Sequence, residues 1–201
     1  MNNNKKCLDQ TWFLQRWEQR KSVEHDYMDP RWDEFEHPKP SAVLIPLIER
    51  EHGLSVLLTQ RAAHLPNHAG QVAFPGGKVD PGDENTFATA LRESDEEVGL
   101  HPRHVKVLGE ITTYITVTGF VITPVVGLVS NEATFTPAPG EVADIFEVPL
   151  EFLFDRENHV RQMDVYGGVE RHYFAIPYEN RRIWGATAAI IINLCNSVHQ
   201  S

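Results

Sequence analysis

The run Arg92-Glu93-Ser94-Asp95-Glu96-Glu97 sets four acids beside one guanidinium, in a 201-residue chain of formal net charge -10. On a helix, which turns about 100° per residue, Glu93, Glu96 and Glu97 share an arc of roughly 100°, with Thr89 inside it and Asp95 outside. Phe87, Leu91, Ser94 and Val98 form an apolar stripe facing the other way. Glutamates at i, i+3 and i+4 repel by a few tenths of a kcal/mol per pair. They also sit in the last turn, where the helix dipole disfavours each by ~0.3–1 kcal/mol. An acidic face in solvent is the commoner origin of such a cluster. Here the tight arc, the unfavourable helix end and the adjacent Arg92 point instead to a missing cation. Carboxylate oxygens in this number suit Mg²⁺ or Mn²⁺, which hold phosphate oxygens and keep some waters.

The elements that position this cluster are readable from local signals. A helix is predicted over residues 84–98, with Asp83 able to cap its start and Gly99 able to take the left-handed turn at its end. Just upstream, Pro75-Gly76-Gly77 allows a sharp bend and close approach of backbone to a ligand. Ser41 to Ile48 and Leu54 to Thr59 read as a hairpin around His52-Gly53, and Gln71 to Phe74 as a third strand. Further strands are expected at 104–115, 120–130, 142–148 and as a pair around 160–176, with a loop at 131–140 and a last helix from about 184 to 197. In residues 8–22, Phe13 and Trp17 lie four apart, as on one helix face. A Pro/His/acid-rich linker runs from Asp29 to Pro40, so residues 1–40 form an N-terminal helical segment and residues 41–201 the body. Strands mixed with two separated helices predict an α/β sandwich rather than repeating parallel βαβ units.

These residues resemble the Nudix hydrolases, whose box reads G-x5-E-x7-R-E-U-x-E-E-x-G-U, with U apolar. Gly77 and the run Arg92 to Leu100 match its two ends. One extra residue between Gly77 and Arg92 leaves Asp83 and Glu84 as alternatives for the first acid. Ser94 replaces an apolar residue, at little cost if its hydroxyl bonds back to a carbonyl. Gly-Gly-Lys-Val-Asp-Pro-Gly-Asp at 76–83 looks like the coenzyme A diphosphatase branch, as do Leu57-Leu58-Thr59-Gln60-Arg61-Ala62, Gly70 and Phe74-Pro75-Gly76-Gly77. Pro66 stands where that branch has a second basic residue.

The resemblance implies an α/β/α sandwich with a mixed central sheet. It implies Glu93, Glu96, Glu97 and the Gly77 carbonyl as ligands of Mg²⁺ or Mn²⁺, with Arg92 paired to Asp83 or Glu84. Arg61, Gly70 and Gly76 fall on the substrate side. Arg61 suits a phosphate, although a surface salt bridge fits its position nearly as well. Glu93 and Glu141 are the alternatives for the general base. The implied reaction splits coenzyme A or an acyl derivative into adenosine 3′,5′-bisphosphate and the 4′-phosphopantetheine part. ADP-ribose, a dinucleotide, or non-catalytic nucleotide sensing are the competing readings.

Bulk properties narrow the classes. Hydrophobic residues at 41 % and charged residues at 23 % describe an ordinary globular chain, not a disordered one. An acidic protein repels a phosphate backbone, so nucleic acid is not an expected partner. Cys7 and Cys195 are the only cysteines and form no C-x-x-C pair, which suits a reducing, cytoplasmic location. The longest apolar run, Ala186 to Cys195, is too short to span a bilayer. Pro66 between His64 and His68 works against a zinc site there. No phosphate loop or dinucleotide-binding glycine turn is present. The expected partner is a small nucleotide-derived molecule, and a homodimer is compatible with the sequence.

Overall fold

In the computed structural model, which describes residues 8–25, 38–166 and 168–199, the fold is built around one strand that is apolar on both faces. β1 (Lys39–Arg50) sends Ala42, Leu44 and Ile48 into one buried cluster and Ile45 and Leu47 into another. Burial on both sides explains its near-continuous Ala42 to Ile48 apolar run. β2 (Gly53–Arg61) returns antiparallel as the expected hairpin, and β7 (Phe120–Val129) lies parallel to β1 along its other side. β3 (Val72–Ala73) and β8 (Val142–Pro149) pair with β2, while β4 (Gly76–Lys78) pairs with the first part of β1. β5 (Val105–Glu110) and β6 (Tyr114–Ile115) pair with β7. One parallel pair among antiparallel ones makes the sheet mixed.

α2 (Thr86–Val98) covers one face through Ala90, Val98 and the following Leu100. On the other face lie α1 (Gln10–Gln19), the short α3 (Leu150–Phe154), α4 (Ala186–His199) and a second, antiparallel sheet. That sheet runs β9 (Val160–Tyr166), β10 (Val169–Tyr178) and β11 (Arg181–Trp184). The layering is the α/β/α sandwich expected.

Three local readings differ from the sequence-based ones. The 104–115 segment is two strands, with a register shift between Val107 and Gly109. Arg181–Trp184 is a strand that precedes the last helix, and Asp83 does not cap α2. Asn85 does so, its Oδ1 accepting from the Ala88 N–H at 3.0 Å, because Asp83 is taken up elsewhere. Phe13 and Trp17 of α1 belong to the main core, stacked with ring centroids 6.0 Å apart. Most of the Asp29–Pro40 linker and Cys7 lie outside the described residues. Among the described residues, no helix is long and apolar enough to cross a membrane.

Candidate active site

The apolar stripe of α2 dictates which side chains turn toward the β4 turn. Ser94 is fully buried and its hydroxyl donates to the Ala90 carbonyl at 2.6 Å, the back-bond that lets a polar residue sit in the stripe. The helix ends at Gly99, in the left-handed region at φ 67°, with Leu100 N–H bonding back to Ser94 O. The loop after β7 then supplies two donors to the last turn, Thr136 N–H to Val98 O and Ala138 N–H to Glu97 O. These satisfy carbonyls that carry the negative end of the dipole.

Arg92 organises the acids. Its guanidinium donates twice to Asp83, from Nε at 3.0 Å and Nη2 at 2.9 Å, a bidentate pair. It also donates to the Lys78 carbonyl at 3.1 Å, to Glu93 at 2.9 Å and to Glu96 at 3.2 Å. Asp83, not the exposed Glu84, is therefore the partner of Arg92. Thr89 donates to the same carboxylate at 2.8 Å, and Asp83 accepts from the Asp80 N–H. These bonds hold the Asp83 carboxyl well below the usual carboxylate range, the Arg92 hydrogen bonds contributing most. Arg92 thereby offsets part of the charge of Glu93 and Glu96.

Glu97 is treated differently. It is 7 % exposed, accepts the Gly76 N–H at 3.1 Å, and lies 3.8 Å from an Arg61 nitrogen. Burial pushes its carboxyl up to about 7; Gly76 and Arg61 oppose the shift, and the charges of Glu93 and Glu141 add to it. Burial likewise raises Glu93, against the pull of Arg92. Glu141 reaches this neighbourhood from the loop after β7, where its carbonyl accepts the Ala62 N–H at 2.8 Å. Arg61 is one-third exposed, and its buried Nε has no hydrogen-bond partner among the described residues. Gly70 lies in the turn that folds back on β2 at φ 69°, its N–H donating to the Arg61 carbonyl at 3.2 Å. Its glycine requirement is conformational. His68 bonds the Gln71 side chain at 2.9 Å.

Gly77 packs directly on Glu93: a Cβ added there would fall 2.4 Å from the Glu93 carboxylate. At Gly76 the obstacle is backbone, the Ala42 carbonyl at 2.4 Å. The two glycines should therefore respond differently to alanine. Gly77→Ala is expected to push Glu93 aside and lower kcat about a hundredfold with little change in melting temperature. Gly76→Ala should lower the melting temperature, since a strand has to move. Equal behaviour in paired kinetic and thermal measurements would contradict this division.

Among the described residues no three acidic, His or Cys side chains already converge as a closed cage, because Glu93 and Glu96 lean on Arg92 and Glu97 on Gly76. The donors nevertheless fit a hard cation. They are all oxygen, they share one helix face beside a glycine turn, and two are carboxylates raised by burial, with neighbouring acids adding to the shift.

Comparison with known proteins agrees with this geometry. Residues 38–165 match the NUDIX domain. The chain is 45 % identical over 160 residues to the uncharacterized Nudix hydrolase NudL of Yersinia enterocolitica, covering 79 % of this chain and 81 % of that protein. Its Yersinia pestis counterpart is 43 % identical over 159 residues, 79 % of each chain. A MutT/nudix family protein from Enterococcus faecalis shares the fold, with a TM-score of 0.51 over 98 % of this chain and 71 % of that one, at 19 % identity. A domain match across most of the mixed sheet and the whole of α2, joined to relatives of this similarity, makes the chain a member of the Nudix family, hydrolases that act on pyrophosphate bonds of nucleoside diphosphate derivatives and generally use divalent metal ions.

Proposed function

We propose that this Nudix hydrolase cleaves the diphosphate bond of coenzyme A or its acyl derivatives, releasing adenosine 3′,5′-bisphosphate and the 4′-phosphopantetheine part. The observation that carries the reading is the seating of Glu93 and Glu97 against Gly76-Gly77, with Arg61 reaching the same carboxylate from the end of β2. Arg61, Gly76 and Gly77 belong to the segment 57–77 that resembles the coenzyme A branch.

In this reading Glu93, Glu96, Glu97 and the Gly77 carbonyl hold Mg²⁺ or Mn²⁺. When bound, such ions neutralise diphosphate oxygens and make a water easier to deprotonate. Arg61 binds a phosphate oxygen through its half-buried guanidinium. Arg92 positions the others by tying the 78–83 loop to α2. Glu141 takes the proton of the attacking water. Its side chain is exposed, whereas the Glu93 carboxylate is already committed to Arg92. The water oxygen bonds to phosphorus, the anhydride P–O bond breaks, and the departing phosphate keeps the bonding pair.

A second reading rests on Pro66, which is exposed and offers no charge where the branch has a basic residue. That favours another diphosphate, such as ADP-ribose or a dinucleotide. Supplying coenzyme A, ADP-ribose and diadenosine polyphosphates separately, with Mg²⁺ or Mn²⁺, discriminates among them. Adenosine 3′,5′-bisphosphate released from coenzyme A, at the highest kcat/KM of the set, is the expected product. Faster cleavage of another compound would replace the substrate assignment, and tight binding without turnover would point to a sensor.

A further inference from the structure

Lys39 and Lys78 converge on a single aromatic ring at the edge of the proposed site. Their ammonium nitrogens lie 5.2 Å and 6.0 Å from the Phe120 ring centroid. Sheet register explains the convergence. Ser41 pairs with Lys78 across β1–β4, and Lys39 pairs with Phe120 across β1–β7. Cross-strand partners share a face, as do residues two apart along a strand, so Lys39, Lys78 and Phe120 all project from the same side. Gly77 pairs with Ala42 and faces the opposite side, against Glu93. The lysines and the carboxylates therefore lie on opposite faces of β4, one residue apart, and among the described residues β4 pairs only with β1.

Two exposed like charges sharing one ring repel, as the glutamates of α2 do. Arg92, which bonds the Lys78 carbonyl, is by contrast matched to Asp83, Glu93 and Glu96. Neither lysine makes a salt bridge among the described residues. Lys39 donates once, to the Thr118 carbonyl at 3.3 Å, which leaves most of the six ammonium donors of the pair unused. In a chain of net charge -10, two cations without an acid partner among the described residues, beside a phosphate-handling centre, suit an anionic ligand.

The geometry points to a second phosphate subsite, in which Lys39 and Lys78 bind a phosphomonoester carried on the nucleoside while the diphosphate lies at Glu93 and Glu97 on the other side of β4. The ligand class is a nucleoside bisphosphate unit, and Phe120 offers an apolar floor beside it. This inference rests on the nucleotide-diphosphate reading given above and would explain how a 3′-phosphorylated substrate is told from one without that group.

Calorimetric titration with adenosine 3′,5′-bisphosphate and with adenosine 5′-monophosphate tests it directly. The wild-type chain should bind the bisphosphate about tenfold more tightly. That preference should vanish in Lys39→Gln/Lys78→Gln and persist when both lysines become arginine. Each single glutamine variant should lose part of it, which keeps the measurement decisive if the double variant fails to fold. Equal affinity in the wild type, or a preference that survives both glutamines, overturns the subsite. Turnover separates the two ideas: equal kcat/KM for coenzyme A and its 3′-dephospho form removes the subsite and leaves the function. If neither compound is cleaved, the substrate assignment fails, and the two titrations still decide the subsite.

Discussion

Replacing Glu97 with Gln is expected to lower kcat on the order of a thousandfold and, in metal-free protein at pH 8, to raise the melting temperature. The first effect follows from removing a charged oxygen donor at the centre of the proposed site. The second follows from burial. The Glu97 carboxyl sits at about 7 in the folded protein against an ordinary value of 4.5. Between those values the folded chain holds a proton that the unfolded chain has released, so stability falls as pH rises, and above about 7 the loss is complete. A shift of that size corresponds to at most about 3 kcal/mol. Glutamine removes the charge and keeps an amide oxygen to accept the Gly76 N–H. The lost attraction to Arg61, 3.8 Å away, takes back a part. The net gain should be about 5 °C at pH 8 and shrink toward zero as pH falls to 4.5. Mg²⁺ should stabilise the wild type and not the variant, since a ligand raises the melting point only of a fold that binds it. Thermal melts across pH, with and without Mg²⁺, read all of this, and an active variant would remove Glu97 from the site.

What the sequence makes legible is what the chain decides locally. The period of α2, its Gly99 stop and the carboxylate arc all lie within one helix, and the structure keeps each of them. Ser94 was readable for the same reason, its carbonyl partner being one turn away. The choice between Asp83 and Glu84 was not, because it depends on how the 78–83 loop folds back over Arg92. The loop acid that wins this pairing is the one unavailable as a cap, which shifts the cap to Asn85. Compensation of the acidic last turn was equally hidden, since Thr136 and Ala138 come from a loop some forty residues downstream. The Lys39–Lys78–Phe120 group is the extreme case. It exists only because β1 pairs with β4 at one edge and with β7 at the other, and no spacing in one dimension carries that register. β11 was missed for a plainer reason: Arg181–Trp184 is four residues long and half charged, too short to show alternation.

The N-terminal segment provides the other large effect. Phe13 is fully buried in the main core, stacked on Trp17, whose outer ring face is covered by the Arg20 guanidinium at 3.5 Å. The segment is also tied by backbone, Leu54 N–H to Leu8 O at 2.8 Å, and by Asn193 of α4, which donates to the Val23 carbonyl at 2.7 Å. Truncating a phenylalanine in such a position typically costs about 3–5 kcal/mol, the lost transfer energy plus the cavity left behind. Against a total stability of roughly 5–15 kcal/mol, Phe13→Ala should lower the melting temperature by about 10 °C, whereas Gln15→Ala on the exposed side of α1 should leave it nearly unchanged. The pair of variants separates two descriptions of residues 8–25. If α1 closes the core over α4, the loss appears as one cooperative transition shifted downward. If α1 is an appendage on a body that folds without it, the main transition stays where it is and limited proteolysis releases the segment from the variant first.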